Sequence, residues 1–209
     1  MRTREEKRKN MENKLIFASN NAGKIREVKE IMQDFGKEII SLEEAGIHVD
    51  VEENGTTFEE NALIKCRAIH EMTGAMVLAD DSGLEIDYLN REPGVYSARY
   101  LGHETPYDIK NGIILDRLKE AEGQQRSTRY VCAMAAVLPD GREYTALGTV
   151  EGLIAMEPAG NGGFGYDPIF FVPEYGKTMA QLTPEEKNAI SHRGRALRAL
   201  REILEQAEA

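Results

Sequence analysis

The sequence lacks several features that would place the protein outside a reducing compartment or in a membrane. Cys66 and Cys132 follow neither the spacing of a zinc site nor that of a disulfide framework. Free thiols fit a reducing compartment, and no apolar run reaches the length of a transmembrane helix. The polar N-terminus lacks the apolar core of a signal peptide. We therefore predict a cytoplasmic protein with no membrane partner.

The chain also lacks an excess of positive charge, with 26 Lys and Arg against 36 Asp and Glu and a formal net charge of −10. Duplex nucleic acid needs a basic surface, so a nucleic-acid partner is not expected. A free nucleotide needs only a few local cations, and the charge balance permits one. With 41% hydrophobic and 30% charged residues, the chain has enough material for a core.

The length of 209 residues suits one domain of generous size or one domain with two lobes. Residues 1–13 are polar and mixed in charge, and we expect a flexible N-terminal extension or the tail of an upstream start, with Met11 as a candidate ancestral start. Residues 14–206 are expected to form a single two-lobed domain.

Strand and helix patterns alternate through the first half, with strands predicted over 14–18, 38–42 and 75–79. A long β-hairpin over 129–154, turning at Pro139-Asp140-Gly141, follows in the second half. This order predicts an α/β fold: a mixed, elongated sheet with flanking helices and two lobes around a central substrate cleft. The apolar faces of two of the helices are predicted to carry, among others, Met72, Ile109, Ile113 and Leu118.

Residues 160–171 place Phe164 within a run of glycines and follow it with Asp167. Glycines let the backbone approach a ligand closely, and an aromatic ring can offer its face to a flat base. The alternative is a tight turn with a core phenylalanine, and this segment alone leaves both readings open.

The segment from Ser19 to Lys24 lies between a predicted strand and a helix, where backbone N–H groups favour phosphate. It is not a Walker loop, because the glycine spacing and the Lys-Ser/Thr pair are missing. A polar turn with a helix cap is the alternative.

Asp80 and Asp81 are predicted to end a strand, and Glu52 and Glu53 lie in an acidic loop. Mg²⁺ with a phosphate substrate is the usual partner of one or two such carboxylates. Capping aspartates in a turn are the alternative. Ser191-His192-Arg193 and nearby Lys187 are ligand contacts or surface groups, while Asn61 and Lys65 should face the same way on one helix.

Together these segments resemble, from about Lys14 to Leu204, the purine-selective nucleoside triphosphate pyrophosphatases, the inosine/xanthosine triphosphatase family. Six blocks carry the resemblance: Ser19-Asn20-Asn21-Ala22-Gly23-Lys24, Thr57-Phe58-x-Glu60-Asn61-Ala62, Ala79-Asp80-Asp81-Ser82-Gly83-Leu84, Pro93-Gly94-Val95-Tyr96-Ser97-Ala98-Arg99-Tyr100, Phe164-Gly165-Tyr166-Asp167-Pro168 and Ser191-His192-Arg193.

The resemblance implies Mg²⁺-dependent hydrolysis of inosine, deoxyinosine and xanthosine triphosphates to the monophosphate and pyrophosphate, by a homodimer. It implies that Asp81 binds Mg²⁺ and acts as the base, with Glu53 assisting the metal and Lys65 neutralising phosphate charge. Which of Glu52, Glu53 and Asp80 share the metal stays open. The implied substrate contacts are Ser19, Asn20, Asn21, Ala22, Gly23, Lys24, Ser82, Phe164, Gly165, Tyr166, Asp167, Lys187, His192 and Arg193.

Two other functions are weighed against this one. A non-catalytic nucleotide sensor would keep Phe164 and the phosphate loop but would have no use for the Asp80–Asp81 pair. A different phosphohydrolase would act on pyrimidine or sugar nucleotides, and a substrate panel would separate it.

Overall fold

A computed structural model describes residues 13–208, and residues 1–12 of the predicted N-terminal extension (1–13) lie outside the described residues. Five α-helices and seven strands are described in this range. The helices are α1 (Ala22–Ile31), α2 (Phe58–Thr73), α3 (Tyr107–Arg117), α4 (Pro184–Ile190) and α5 (His192–Glu208). The strands are β1 (Lys14–Phe17), β2 (Glu38–Ser41), β3 (Met76–Ile86), β4 (Ser127–Val137), β5 (Glu143–Ile154), β6 (Phe170–Val172) and β7 (Lys177–Thr178).

The strands form one sheet in the order β2-β1-β3-β4-β5-β6-β7. β1 pairs in parallel with β2 and with β3, whereas β6 pairs antiparallel with β5 and with β7. Strands β4 and β5 are sheet neighbours joined by a tight turn, in which the Leu138 N–H donates to the Arg142 carbonyl at 2.9 Å. The predicted mixed α/β fold with flanking helices is confirmed, and so is the hairpin.

The described chain divides into two compact units. The first unit comprises residues 13–81, 132–148 and 193–208, and the second comprises residues 82–131 and 149–192. Each unit has its own apolar core. In the first, β1 and α5 supply Leu15, Phe17, Leu197 and Leu200; in the second, the core includes Leu84, Ile114, Tyr166 and Phe170.

Two helix starts carry the Ser/Thr-x-x-Glu pattern that predicts a capping box, with Thr56 or Thr57 as the cap of the first. Thr57 caps α2 and forms a reciprocal capping box with Glu60, and Thr183 does the same with Glu186 at α4. Each box satisfies backbone donors that a helix start leaves unpaired, which is why these two starts were readable from sequence.

Three local expectations are wrong. β3 does not end before Asp80 but continues to Ile86, so both aspartates lie inside a strand. Ile109 and Ile113 of α3 are exposed, whereas Ile114 of this helix is buried and so, as expected, is Leu118, which follows its last residue. Met72, expected on the apolar face of α2, is also exposed. Which apolar residues of a helix are buried depends on the neighbours that pack against them, and periodicity alone does not determine these neighbours.

No helix within residues 13–208 is both long and apolar enough to cross a bilayer.

Candidate active site

Asp80 is a buried anchor in the first unit. Its Oδ2 accepts hydrogen bonds from Lys24 Nζ at 3.1 Å and from Arg193 Nε at 3.2 Å. Burial raises its pKa, but the charges of Lys24, Arg193 and Lys65 lower it by more, so the pKa lies well below the ordinary aspartate value. Asp80 is therefore ionised and joins the starts of α1 and α5 to β3.

Arg193 is the second half of this anchor. Its guanidinium is buried, and Nη1 donates to Glu27 while Nε donates to Asp80. Burial lowers the pKa of Arg193, but the two carboxylates raise it by more. The contact with the base or the phosphates of a substrate that the resemblance implies for Arg193 stays a prediction. The geometry of the first unit favours an anchoring role for this side chain.

Asp81 lies in a different environment, although it is the next residue. Its Oδ2 accepts from Asn61 Nδ2 at 2.9 Å, and Asn61 Oδ1 accepts from the Gly55 N–H at 2.8 Å. Burial raises the pKa of Asp81, and Lys65 and Asn61 lower it by less, so the net shift is upward. The pKa values of these two adjacent carboxyl groups are therefore shifted in opposite directions, as occurs for titratable pairs at functional sites.

Lys65 connects Asp81 to the acidic loop. Its Nζ donates to Glu53 Oε2 at 2.9 Å. Burial lowers the pKa of Lys65, but Asp80, Asp81 and Glu53 raise it by more, so the ammonium is charged. Asn61 and Lys65 lie four residues apart on α2 and both contact acidic groups of this cluster, as their spacing predicted.

Acidic side chains of the first unit determine whether Mg²⁺ could bind near Asp81. Within residues 13–208 no three His, Cys, Asp or Glu side chains come together as a ready cation site. Mg²⁺ in phosphate-handling sites commonly takes only one or two carboxylates and completes its shell with water and substrate oxygens. Asp81 and Glu53 carry hard oxygen donors, both carboxylates raise the pKa of the Lys65 ammonium, and Glu52 is exposed. The residues present therefore fit the ion.

The predicted phosphate loop lies where the sequence placed it, between β1 and α1. Asn21 caps α1, because its Oδ1 accepts from the N–H groups of Gly23 at 3.0 Å and Lys24 at 3.2 Å. Ser19 Oγ accepts from the Asn21 N–H at 3.2 Å. Asn20 and Ala22 are exposed. The loop is thus held in shape by its own side chains, and its phosphate contacts stay a prediction.

In the second unit, Asp167 organises the glycine loop. Its Oδ2 accepts from the Phe164 N–H at 2.8 Å and from Lys187 Nζ at 2.9 Å, and Oδ1 accepts from the Tyr130 hydroxyl at 3.3 Å. Gly163 has φ of +69°, and a Cβ there would lie 2.1 Å from Asp167 Oδ2. Only glycine fits this position, so the loop conformation and the Asp167 contact require each other.

Phe164 carries a cation on its ring, because Lys187 Nζ lies 4.5 Å from the ring centroid. Tyr166 is buried, with its hydroxyl donating to the Ser97 carbonyl at 2.7 Å and its ring edge-on to Tyr107. The Phe164 ring and the Lys187 ammonium therefore lie side by side in the second unit.

His192 and Tyr130 complete this cluster. The two rings are stacked with centroids 4.7 Å apart, and Tyr130 also stacks on Phe170 at 4.4 Å. Sequence reasoning did not find Tyr130, because a tyrosine in a strand reads as core. Ser82 is partly buried in β3.

The sequence-predicted residues therefore fall into two groups, one in each unit. The first unit holds the phosphate loop, Glu53, Lys65, Asp81 and Arg193, and the second holds Ser82, residues 164–167, Lys187 and His192. Glu27 and Tyr130 were not expected from the sequence, and Asn61 was expected only to face the same way as Lys65; the structure places Glu27 and Asn61 in the first group and Tyr130 in the second. Acidic and basic side chains of this kind on a mixed α/β scaffold define a candidate phosphohydrolase.

The chain belongs to the Ham1 family, whose model matches residues 15–203. A dITP/XTP pyrophosphatase from Clostridium perfringens (strain 13 / Type A) is 50% identical to it, with 91% of this chain and 97% of the relative covered. A dITP/XTP pyrophosphatase from Bacillus subtilis (strain 168) is 49% identical, with coverage of 91% and 96%. The structure of the Staphylococcus aureus Ham1 protein matches with a TM-score of 0.82 at 43% identity, covering 93% of this chain and 99% of that one.

Proposed function

We propose that this protein hydrolyses deaminated purine nucleoside triphosphates (inosine, deoxyinosine and xanthosine triphosphate) to the monophosphate and pyrophosphate, and so removes them from the nucleotide pool. The observation that carries the proposal is the divergence of Asp80 and Asp81, one held ionised by cations and the other with a raised pKa. The curated names of relatives at about half identity support the substrate class.

Asp81 is the base in this proposal. A water oxygen attacks the α-phosphorus, its proton passes to the Asp81 carboxylate, and the bond from the α-phosphorus to the bridging oxygen breaks. Pyrophosphate leaves with the electron pair of that bond. Asn61 fixes the orientation of the carboxylate through its 2.9 Å hydrogen bond.

Cationic side chains hold the polyphosphate. Lys65 neutralises phosphate charge, and the loop from Ser19 to Lys24 presents backbone and side-chain donors at the start of α1. Triphosphate hydrolysis is mostly positioning and charge stabilisation, which such a cluster provides.

Asp81 and Glu53 would hold Mg²⁺. When bound, the ion neutralises phosphate charge and makes water a better nucleophile at neutral pH. Lys65 is the group that balances these two carboxylates in the structure, which supports a cation-binding role for the pair.

The second unit would recognise the base. Phe164 offers a stacking surface, and Gly165 and Tyr166 lie in the same loop. Lys187 Nζ lies 4.5 Å from the centroid of the Phe164 ring, and His192 stacks on Tyr130, whose hydroxyl donates to Asp167. Donors facing the 6-oxygen, with no acceptor at the 2-position, would leave the 2-amino group of guanine unpaired. Each unpaired group costs about 1–3 kcal/mol, so stacked penalties give selectivity of roughly a hundredfold or more.

A substrate panel with product identification tests the proposal. We expect inosine, deoxyinosine and xanthosine triphosphates to give pyrophosphate when Mg²⁺ is present, and adenosine, guanosine and cytidine triphosphates and sugar nucleotides to react far more slowly. Orthophosphate and diphosphate as first products would refute attack at the α-phosphorus. Binding without turnover would instead favour the sensor function, and a preference for pyrimidine or sugar nucleotides would favour the other phosphohydrolase.

Asp81→Asn serves as the inactive variant in this assay, and Asp34→Asn is the matched control because Asp34 is an exposed aspartate of the same unit. Activity that survives in Asp81→Asn would point to a contaminant or to another base.

A homodimer in the cytoplasm is part of the same proposal. Ile109 and Ile113 lie one turn apart on α3 with half and more than a third of their surface exposed, and Leu101 is similarly exposed. Exposed apolar residues of this kind favour association. Light scattering should give twice the 23.4 kDa chain mass, and a monomer at every concentration would contradict the dimer. The buried free thiols of Cys66 and Cys132 fit a reducing compartment.

A further inference from the structure

Two side chains of α3 contact the glycine loop (residues 160–167), although α3 is not part of the motif that contains Phe164. Tyr107 meets the Tyr166 ring edge-on, with centroids 5.1 Å apart, and one turn later Asn111 Nδ2 donates to the Gly165 carbonyl at 3.2 Å. Both contacts lie within the second unit. The loop that carries Phe164 therefore rests on two side chains of one helix face.

Asn111 is an unusual choice for this position if stability alone is considered. The side chain is buried, and its Oδ1 is a buried atom with no hydrogen-bond partner among the described residues. A buried unpaired acceptor destabilises a fold, and an apolar residue of the same branched shape would remove that cost. The amide nitrogen of Asn111 is the group with a partner, and this partner is the Gly165 carbonyl. The contact with Gly165 therefore explains why this position holds an amide side chain.

The orientation of the Gly165 peptide depends on a contact from outside the loop. On one side the Phe164 N–H is held by Asp167, and on the other the Tyr166 hydroxyl is held by the Ser97 carbonyl. Gly165 itself has φ of +69° and no side chain to pack. The hydrogen bond from Asn111 fixes the orientation of its carbonyl, and with it the direction in which the neighbouring Phe164 ring is presented.

We propose that Asn111 is a positioning residue for recognition of the purine base, acting through the Gly165 carbonyl on Phe164. This inference rests on the proposed function, since it assumes that Phe164 stacks on the base. Asn111 touches no reacting atom in this account, so its loss acts on base binding and leaves the phosphate-binding groups of the first unit unchanged.

Asn111→Leu tests the inference, because it keeps the branched shape, removes the donor and also removes the unpaired acceptor. We expect an unchanged or higher Tm. The KM for inosine triphosphate should rise by about three- to tenfold, which corresponds to the loss of one hydrogen bond, and kcat should change less. Inorganic tripolyphosphate, which has no base, should inhibit the variant and the wild type with the same inhibition constant. Asn111→Asp, which places an oxygen against the Gly165 carbonyl, should raise the KM at least as much and provides the test if the leucine variant does not fold.

Gly112→Ala is the matched control. Gly112 is the next residue on α3, and a Cβ there meets nothing within 4 Å. The change should raise Tm because alanine is the better helix former, and it should leave KM unaltered.

A wild-type KM in Asn111→Leu overturns the inference. So does a parallel loss of Tm, nucleotide affinity and tripolyphosphate inhibition, which would mark Asn111 as a structural residue only. If the wild type releases no pyrophosphate from inosine triphosphate, the proposed function fails first and the inference falls with it.

Discussion

Replacing each of the adjacent aspartates by asparagine should have opposite effects on stability and activity. Asp80→Asn removes the charge that balances Arg193 and Lys24 and leaves buried cations without it. Asp81→Asn removes a carboxylate whose ionised form is disfavoured by burial, and the amide can still bond Asn61. Asp80→Asn should lower the stability of the fold, and Asp81→Asn should abolish turnover without lowering stability.

The magnitudes follow from the two environments. Removing one partner of a buried ion pair costs about 3–5 kcal/mol. At about 2–4 °C per kcal/mol for a chain of this length, Tm should fall by about 6–20 °C in Asp80→Asn. In Asp81→Asn, Tm should be unchanged or higher, whereas kcat should fall by roughly three orders of magnitude or more, because the base and a metal ligand are lost together.

The two aspartates should also affect the pH dependence of stability in opposite directions. The pKa of Asp80 is lowered on folding, so its ionised form contributes stability that is present above the unfolded pKa and lost as pH falls through the folded one. The pKa of Asp81 is raised, so its ionised form costs stability above that pKa and is needed for catalysis. Without bound metal, Asp81 should therefore be protonated on acidification before the Asp80 contribution to stability is lost.

Thermal melts from neutral to acidic pH and pyrophosphate release from inosine triphosphate measure both effects. A normal Tm in Asp80→Asn would refute the anchoring role of Asp80. Activity within tenfold of wild type in Asp81→Asn, with unchanged metal dependence, would move the base to Asp80 or elsewhere.

Four further changes test other parts of the structure. Phe164→Ala should weaken all purine triphosphates alike, since stacking does not distinguish bases; a selective loss in a kinetic panel would contradict this. Arg193→Ala should lower Tm and should lower activity on inosine and adenosine triphosphates in proportion, because the guanidinium is held by buried carboxylates. A smaller ratio between the activities on the two substrates would instead support a contact of Arg193 with the base. Arg126→Met should lower the free energy of unfolding by about 2–4 kcal/mol, because buried Arg126 donates to four backbone carbonyls. Arg129→Met should lower it less, because the ion pairs of Arg129 lie nearer the surface. Equal denaturant midpoints for the two variants would contradict this prediction. Deleting residues 1–12 should leave activity unchanged, because the family match begins at residue 15, and a folded but inactive truncation would show otherwise.

Much of the fold was readable from sequence where the signals are local. Capping boxes at Thr57 and Thr183 act within four residues, and the Pro139-Asp140-Gly141 turn fixes a hairpin by short-range geometry. The phosphate loop was likewise placed correctly between a strand and a helix. The order and spacing of the six motif blocks identified the family for the same reason, since each block is a short contiguous pattern.

By itself, the sequence determined the α/β class, the family and the pool of candidate residues, because these depend on composition, periodicity and contiguous motifs. Only the tertiary structure decided that Asp80 and Asp81 lie inside a strand with opposite pKa shifts, since Arg193 is 113 residues from Asp80 and Asn61 is 20 residues from Asp81. It also decided that Asn111 contacts Gly165, 54 residues away. Burial and long-range charge pairs set these properties, and no local pattern in a single chain encodes which distant side chains will meet.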